Sequence, residues 1–83
     1  MSIKAYVLIE AAVGKMNAVG GGVQKVNLKD ARVLSVDAVT GPFDVIAIIE
    51  SEDLDKLGWA ITNGIQQVDG VQRTTTCLVV KLG

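Results

Sequence analysis

Two carboxylates, Asp37 and Asp44, flank a single turn that reads Thr40-Gly41-Pro42-Phe43. Paired acids this close can divide acid–base work, one donating a proton and the other accepting it. No nucleophile or metal partner accompanies them, so solvated hairpin charges are the better reading. The stretch from Thr40 to Asp44 is either an ordinary hairpin turn with a capping Asp or the lip of a binding site. Spacing alone favours the turn. Further on, Thr74, Thr75 and Thr76 run directly into the one cysteine, Cys77. Each threonine is by itself a β-former, and the three gain weight only beside Asp44. Cys77 lies in an apolar run and is expected to be a buried, inert thiol.

Other chemistries are poorly served. The chain has no histidine, which removes the commonest general base and the usual Ser-His and Cys-His nucleophile systems. One cysteine makes no internal disulfide, and the rest of a zinc ligand set is missing. The triplet Gly20-Gly21-Gly22 invites a phosphate-loop reading, but a dinucleotide fingerprint needs G-x-G-x-x-G opening a helix after a strand. Lys25 stands where its third glycine belongs. The "VGKM" run fails as a P-loop too, because Met16 replaces the required Ser or Thr and Ile9 occupies the first Gly position. Eight basic and nine acidic residues leave a net charge of −1, without the clustered Lys and Arg of a nucleic-acid binder. The N-terminus lacks the basic segment of a signal peptide, and no apolar run approaches the ~18 residues of a membrane span. A cytoplasmic protein with no direct nucleic-acid or membrane partner and no cofactor is expected.

These residues need elements to position them. At 83 residues the chain is expected to form one domain, 1–83, near the size where a single core barely suffices. Ile3 to Glu10 reads as a first strand. Met16, Val19, Val23 and Val26 then recur at helical spacing, which predicts a helix despite three glycines costing about 1 kcal/mol each. "RVLSVDAVT" reads as a second strand with Leu34, Val36 and Ala38 on one face and Ser35 and Asp37 on the other. Gly41-Pro42 ends it, and "FDVIAIIE" begins a third strand in an antiparallel hairpin. Ser51 is the expected N-cap of a second helix with the seam Leu54, Leu57, Ile61, Ile65 and Val68, closed by Gly70 as its C-cap. "VQRTTTCLVVKL" is the last strand. Trp59 falls off that helix seam, so partial burial at the domain edge or a contact between subunits is expected.

The order β-α-β-β-α-β predicts an α+β, ferredoxin-like fold: four antiparallel strands with two helices on one face. Two helices cover one face only, yet the strands are apolar on both. Ile46 and Ile48 oppose Val45, Ala47 and Ile49, and Tyr6 and Leu8 oppose Ala5, Val7 and Ile9. Strands buried on both sides lose their polar alternation, and a large open apolar face marks an interaction site. A dimer through the open face is expected.

Several stretches together are distinctive: "KAYVLIE", "DAVTGPFDVIAIIE", "LDKLGWAITNGIQQVDGV" and "QRTTTCLVV". They resemble the effector-binding domain of the Lrp/AsnC family of amino-acid-responsive regulators, over roughly Ile3 to Val80. The most specific parts are Thr-Gly-x-x-Asp at Thr40, Gly41 and Asp44, and Gly-Val-x-x-Thr-x-Thr from Gly70 to Thr76. The resemblance implies sheet-to-sheet dimers in a dimeric α/β-barrel arrangement, rings of octamers or decamers, and small amino-acid-like effectors bound in clefts between subunits. It places Thr40, Gly41, Pro42 and Asp44 on one side of that cleft and Thr74 and Thr76 on the other. Asp44 would pair with an ammonium, while backbone N–H groups and threonine hydroxyls receive a carboxylate.

Two departures from the family stand out. Nothing precedes Met1 where family members carry a helix-turn-helix, so a stand-alone effector domain is expected, acting alone or by co-assembly with a full-length Lrp/AsnC-type regulator. The second is the glycine run in the first helix. The resemblance implies a ligand-binding and oligomerisation module rather than an enzyme. The competing readings are a cofactor-free, monooxygenase-like enzyme built on a similar dimeric α/β barrel and a ligand-free assembly subunit, which requires no role for Asp44.

Overall fold

A computed structural model describes residues 2–82. The elements are β1 (Ile3–Ala11), α1 (Met16–Lys25), β2 (Ala31–Ala38), β3 (Val45–Ser51), α2 (Leu54–Asn63) and β4 (Val71–Leu78), with a 3₁₀ turn at Ile65–Gln67 after α2. The strands form one sheet in the order β2-β3-β1-β4, and every neighbouring pair is antiparallel. This is the ferredoxin-like arrangement expected from the sequence. Among the described residues no helix is long and apolar enough to cross a membrane.

The period-2 pattern of the two central strands sets the core. Ala5, Val7 and Ile9 of β1 and Val45, Ala47 and Ile49 of β3 are fully buried. Both helices cover that face: Val19 and Val23 come from α1, and Leu57, Ile61 and Ile65 from α2 and the 3₁₀ turn. Full burial of a Val, Leu or Ile contributes about 1.5–3 kcal/mol. Two such valines outweigh the roughly 3 kcal/mol lost to three helix glycines, so α1 forms. Gly22 has a further reason to be glycine. A Cβ there would lie 2.5 Å from Val68 Cγ1, whereas Gly20 and Gly21 face nothing within 4 Å.

Several local expectations are corrected. Ser51 does not cap α2; it ends β3, buried, and its hydroxyl donates to the Asp30 carbonyl at 2.7 Å. Asp53 is the cap, its carboxylate accepting from the Lys56 N–H at 2.8 Å. Gly70 is not the C-cap either, because α2 ends at Asn63 with Gly64 as its cap. Gly70 instead makes the turn into β4 at φ +95°, where a Cβ would press on Lys15 and Val19. Its carbonyl accepts from the Ala12 N–H at 2.8 Å.

In β2 the pairing with β3 slips between Val33 and Ser35. Leu34 is the extra residue of a bulge and is 43% exposed. Val33, Val36 and Ala38 therefore sit opposite the core residues Ile49, Ala47 and Val45. The simple alternation that put Leu34 with Val36 and Ala38 fails at that one residue. The third strand begins at Val45 rather than Phe43, and the last ends at Leu78 rather than Leu82. Cys77 is exposed, not buried, because it pairs with Tyr6 on the sheet face that the helices leave open.

Candidate functional site

The hairpin between β2 and β3 is tied down at its base. The Val39 N–H donates to the Asp44 carbonyl at 2.9 Å, and the Asp44 N–H donates to the Ile9 carbonyl at 2.9 Å. The Asp44 carboxylate turns toward β1, where its Oδ2 accepts from the Ala11 N–H at 2.8 Å. That bond lies just beyond the last pair of the β1–β3 ladder, Ile9 with Val45, so a carboxylate takes the place of a strand carbonyl. Asp44 is half-buried, which corrects the picture of a solvated hairpin charge. Thr40, Gly41 and Pro42 stand at the tip, all three exposed. Gly41 lies at φ +124°, a backbone region that favours glycine.

Thr74 and Thr76 lie on the edge strand β4, opposite Ile9 and Val7. They therefore share the helix-facing side of the sheet. With Leu54, Leu57, Gly58, Ile61 and Leu78 they line an open groove of about 400 Å³ between α2 and β4. Gln66 also lines it, its Nε2 donating to Thr74 Oγ1 at 2.8 Å. Sequence reading missed Gln66 because it ran the second helix through the 3₁₀ turn that aims this side chain. Thr75 points the other way, opposite Leu8.

The hairpin base and the start of β4 reach the same end of the sheet. Val45, Ile9 and Thr74 stand in one cross-strand row. Strand β1 separates them, so about two strand spacings, ~10 Å, lie between. No hairpin residue lines the groove at Thr74 and Thr76. Within this chain the two sets of residues share an end of the sheet but not a pocket.

The open sheet face is the second notable surface. Tyr6, Leu8, Ile46, Ile48 and Cys77 form its centre, half-buried or exposed. Ion pairs stand at its flanks: Arg32–Glu50 at 2.5 Å and Arg73–Glu10 at 3.9 Å. Hydrogen bonds from Arg32 and then Ser2 hold the Glu50 carboxyl below the usual carboxylate range. A third surface lies at the start of α2. Lys29, Asp30, Asp55, Lys56 and Trp59 line a cleft of about 270 Å³, with Lys29 Nζ 5.9 Å from the Trp59 ring centroid. Among the described residues no three of the His, Cys, Asp and Glu side chains stand where they share a metal ion.

Comparison with known proteins bears on these surfaces. The family model of the Lrp/AsnC ligand binding domain matches residues 4–82. An uncharacterised HTH-type transcriptional regulator of Pyrococcus abyssi (strain GE5 / Orsay) is 30% identical over 60 residues, which is 72% of this chain and 40% of that regulator. The match thus spans well under half of the regulator's length. A crystal structure of a Thermus thermophilus protein superposes with a TM-score of 0.83 at 32% identity, covering 98% of this chain and 96% of the other. A Neisseria meningitidis transcriptional regulator, crystallised as an L-Met complex, has the same fold at 21% identity, with a TM-score of 0.78 over 95% of this chain and 50% of its own. With a match that runs from the first strand past the last, this chain belongs to the Lrp/AsnC ligand-binding domain family.

Proposed function

We propose that this domain binds a small amino-acid-like effector in a cleft closed between subunits, and that occupancy of the cleft modulates a transcription regulator through its assembly. The observation that carries the reading is the incomplete site. Thr40, Gly41, Pro42 and Asp44 occupy one end of the sheet, and Thr74 and Thr76 line an open groove beyond β1. A neighbouring subunit laid against that end would close the two into one cleft. Family membership supports a ligand-binding role over a catalytic one.

Dimerisation through the open sheet face belongs to the same proposal. Four strands of 7–9 residues present on the order of 500 Å² in projection. A stable interface buries about 800 Å² per partner, so flanking segments such as Val79 and Val80 have to contribute. Both are exposed in the single subunit.

A second reading, the ligand-free assembly subunit, is favoured by the bond from the Ala11 N–H to Asp44. A carboxylate already engaged in the fold has less left for a ligand ammonium. A thermal-shift screen against the standard amino acids separates the two, with L-methionine, the ligand of the Neisseria relative, among the probes. Ligand at about 100 times its dissociation constant adds about 2.7 kcal/mol, or roughly 10 °C or more for a domain of this size. The sensor reading expects a selective shift that Asp44→Asn removes. No shift with any amino acid favours the assembly subunit.

A further inference from the structure

Trp59 is the chain's one tryptophan, and the fold does not use it. The buried stripe of α2 is Leu57, Ala60 and Ile61, while Trp59 stays 54% exposed. Large exposed indoles are costly to solvate and are enriched where proteins bind something. Here the indole forms one wall of the cleft shared with Lys29, Asp30, Asp55 and Lys56.

Both walls are held in place. Asp30 sits at φ +61°, a left-handed conformation uncommon outside glycine. Its carbonyl is fixed by the hydroxyl of the buried Ser51 at 2.7 Å. The first turn of α2 is fixed by the Asp53 cap. A cleft anchored on both sides loses little conformational entropy when it is filled.

The lining also constrains the occupant. Two ammonium groups and two carboxylates surround one indole. A simple anion would meet Lys29 and Lys56 but also Asp30 and Asp55. A simple cation would meet the aspartates but find Lys29 Nζ already over the ring, 5.9 Å from its centroid. Lys56 is bonded to Glu52 at 3.4 Å, an exposed pair that a ligand carboxylate can exchange at little cost. Only a molecule carrying both charges satisfies both signs. A volume of about 270 Å³ sits just under the range of small-molecule sites, about 300–1,000 Å³, and so admits a small body.

We infer that the cleft walled by Trp59, Lys29, Asp30, Asp55 and Lys56 is a second binding site, taking a small zwitterion with a flat apolar group, of which an aromatic amino acid is the simplest case. It lies within a single subunit and shares no residue with the hairpin or with Thr74 and Thr76. It therefore stands or falls independently of the function proposed above.

The lone tryptophan makes the test direct, because its fluorescence reports on this cleft. The probes are L-phenylalanine, phenylalaninamide, which lacks the carboxylate, and 3-phenylpropionate, which lacks the ammonium. A saturable change with phenylalanine at concentrations on the order of millimolar is expected. Each half-ligand should bind about tenfold more weakly, having lost one charged contact. Lys29→Ala and Asp55→Asn, both at the exposed rim, should weaken phenylalanine similarly with the circular dichroism unchanged. Asp44→Asn should leave the titration as it is. The inference is overturned if phenylalanine gives no saturable change or if either half-ligand binds as well as the whole. It is equally overturned if Asp44→Asn abolishes the signal, since the indole would then be reporting on the hairpin site.

Discussion

Asp44 has two roles that different substitutions pull apart. Its carboxylate accepts the Ala11 N–H at 2.8 Å in a half-buried position just beyond the last pair of the β1–β3 ladder. A hydrogen bond to a charged group contributes about 1.5–3 kcal/mol, and the lower part of that range applies where water can reach the orphaned donor. Asp44→Ala should therefore cost about 1.5–2 kcal/mol, a fall in Tm of roughly 6–16 °C for a domain of this size. Asp44→Asn keeps an oxygen in place for the Ala11 N–H and loses only the charge, so its cost should stay under about 1 kcal/mol. The assay is thermal unfolding followed by far-ultraviolet circular dichroism, with protein concentration fixed because assembly also raises Tm. Hydrogen exchange at the Ala11 amide gives a local check, faster in Asp44→Ala than in Asp44→Asn. Equal melting of both variants with the wild type would refute the structural role. A ligand-induced shift lost in both, alongside unequal stabilities, would show that the same side chain also serves the site.

Three further outcomes follow from the packing and the charges. Gly20→Ala and Gly21→Ala meet nothing within 4 Å and should each stabilise by about 0.5–1 kcal/mol. Gly22→Ala must displace Val68 and should destabilise, since overpacking costs about 1–3 kcal/mol; the same sign for all three would contradict the packing of α1. Glu50 is held below the usual carboxylate range by Arg32 and Ser2. Its contribution is present above the unfolded carboxylate range and lost as pH falls through the lower folded value. Acid titrations of stability should be flatter in Glu50→Gln. Ile48→Glu places a charge at the centre of the open face, between Tyr6 and Ser35. It should leave the subunit folded while shifting multi-angle light scattering toward the monomer, because an interface would bury that charge unpaired.

The fold was legible because its strongest signals are periodic. Val7 and Ile9, Val45 and Ile49, and the pair Val19 and Val23 announced their elements by spacing alone, and all are buried. The failures sit where a single residue departs from its period or where a long-range bond decides. Leu34 is one inserted residue, and nothing local distinguishes it from a regular strand position. Ser51 and Asp53 are both good caps by type. Asp53 took the role because the Asp30 carbonyl, across the turn from α1 to β2, claimed the Ser51 hydroxyl. Cys77 departs from the expectation because apolar neighbours in the chain do not reveal which sheet face the helices leave uncovered.

The candidate site was legible only in part. Its residue types could be read from the motifs, while the end of the sheet they share comes from the strand register. The bond to Ala11 could not, because it joins residues 33 apart in sequence that only the pairing of β1 with β3 brings together. Gln66 and the cleft at Trp59 were invisible for a similar reason, each being assembled from segments that only the fold brings together.

The claim that matters most is that the effector is held between subunits. Titrating the amino acid selected by thermal shift, at protein concentrations spanning the dimer and higher assemblies, tests it directly. Because binding and association are then linked, the apparent affinity should tighten as protein concentration rises, and saturating ligand should drive the assembly upward. An affinity independent of protein concentration, with the assembly unchanged by ligand, would contradict the account and place the site within a single subunit.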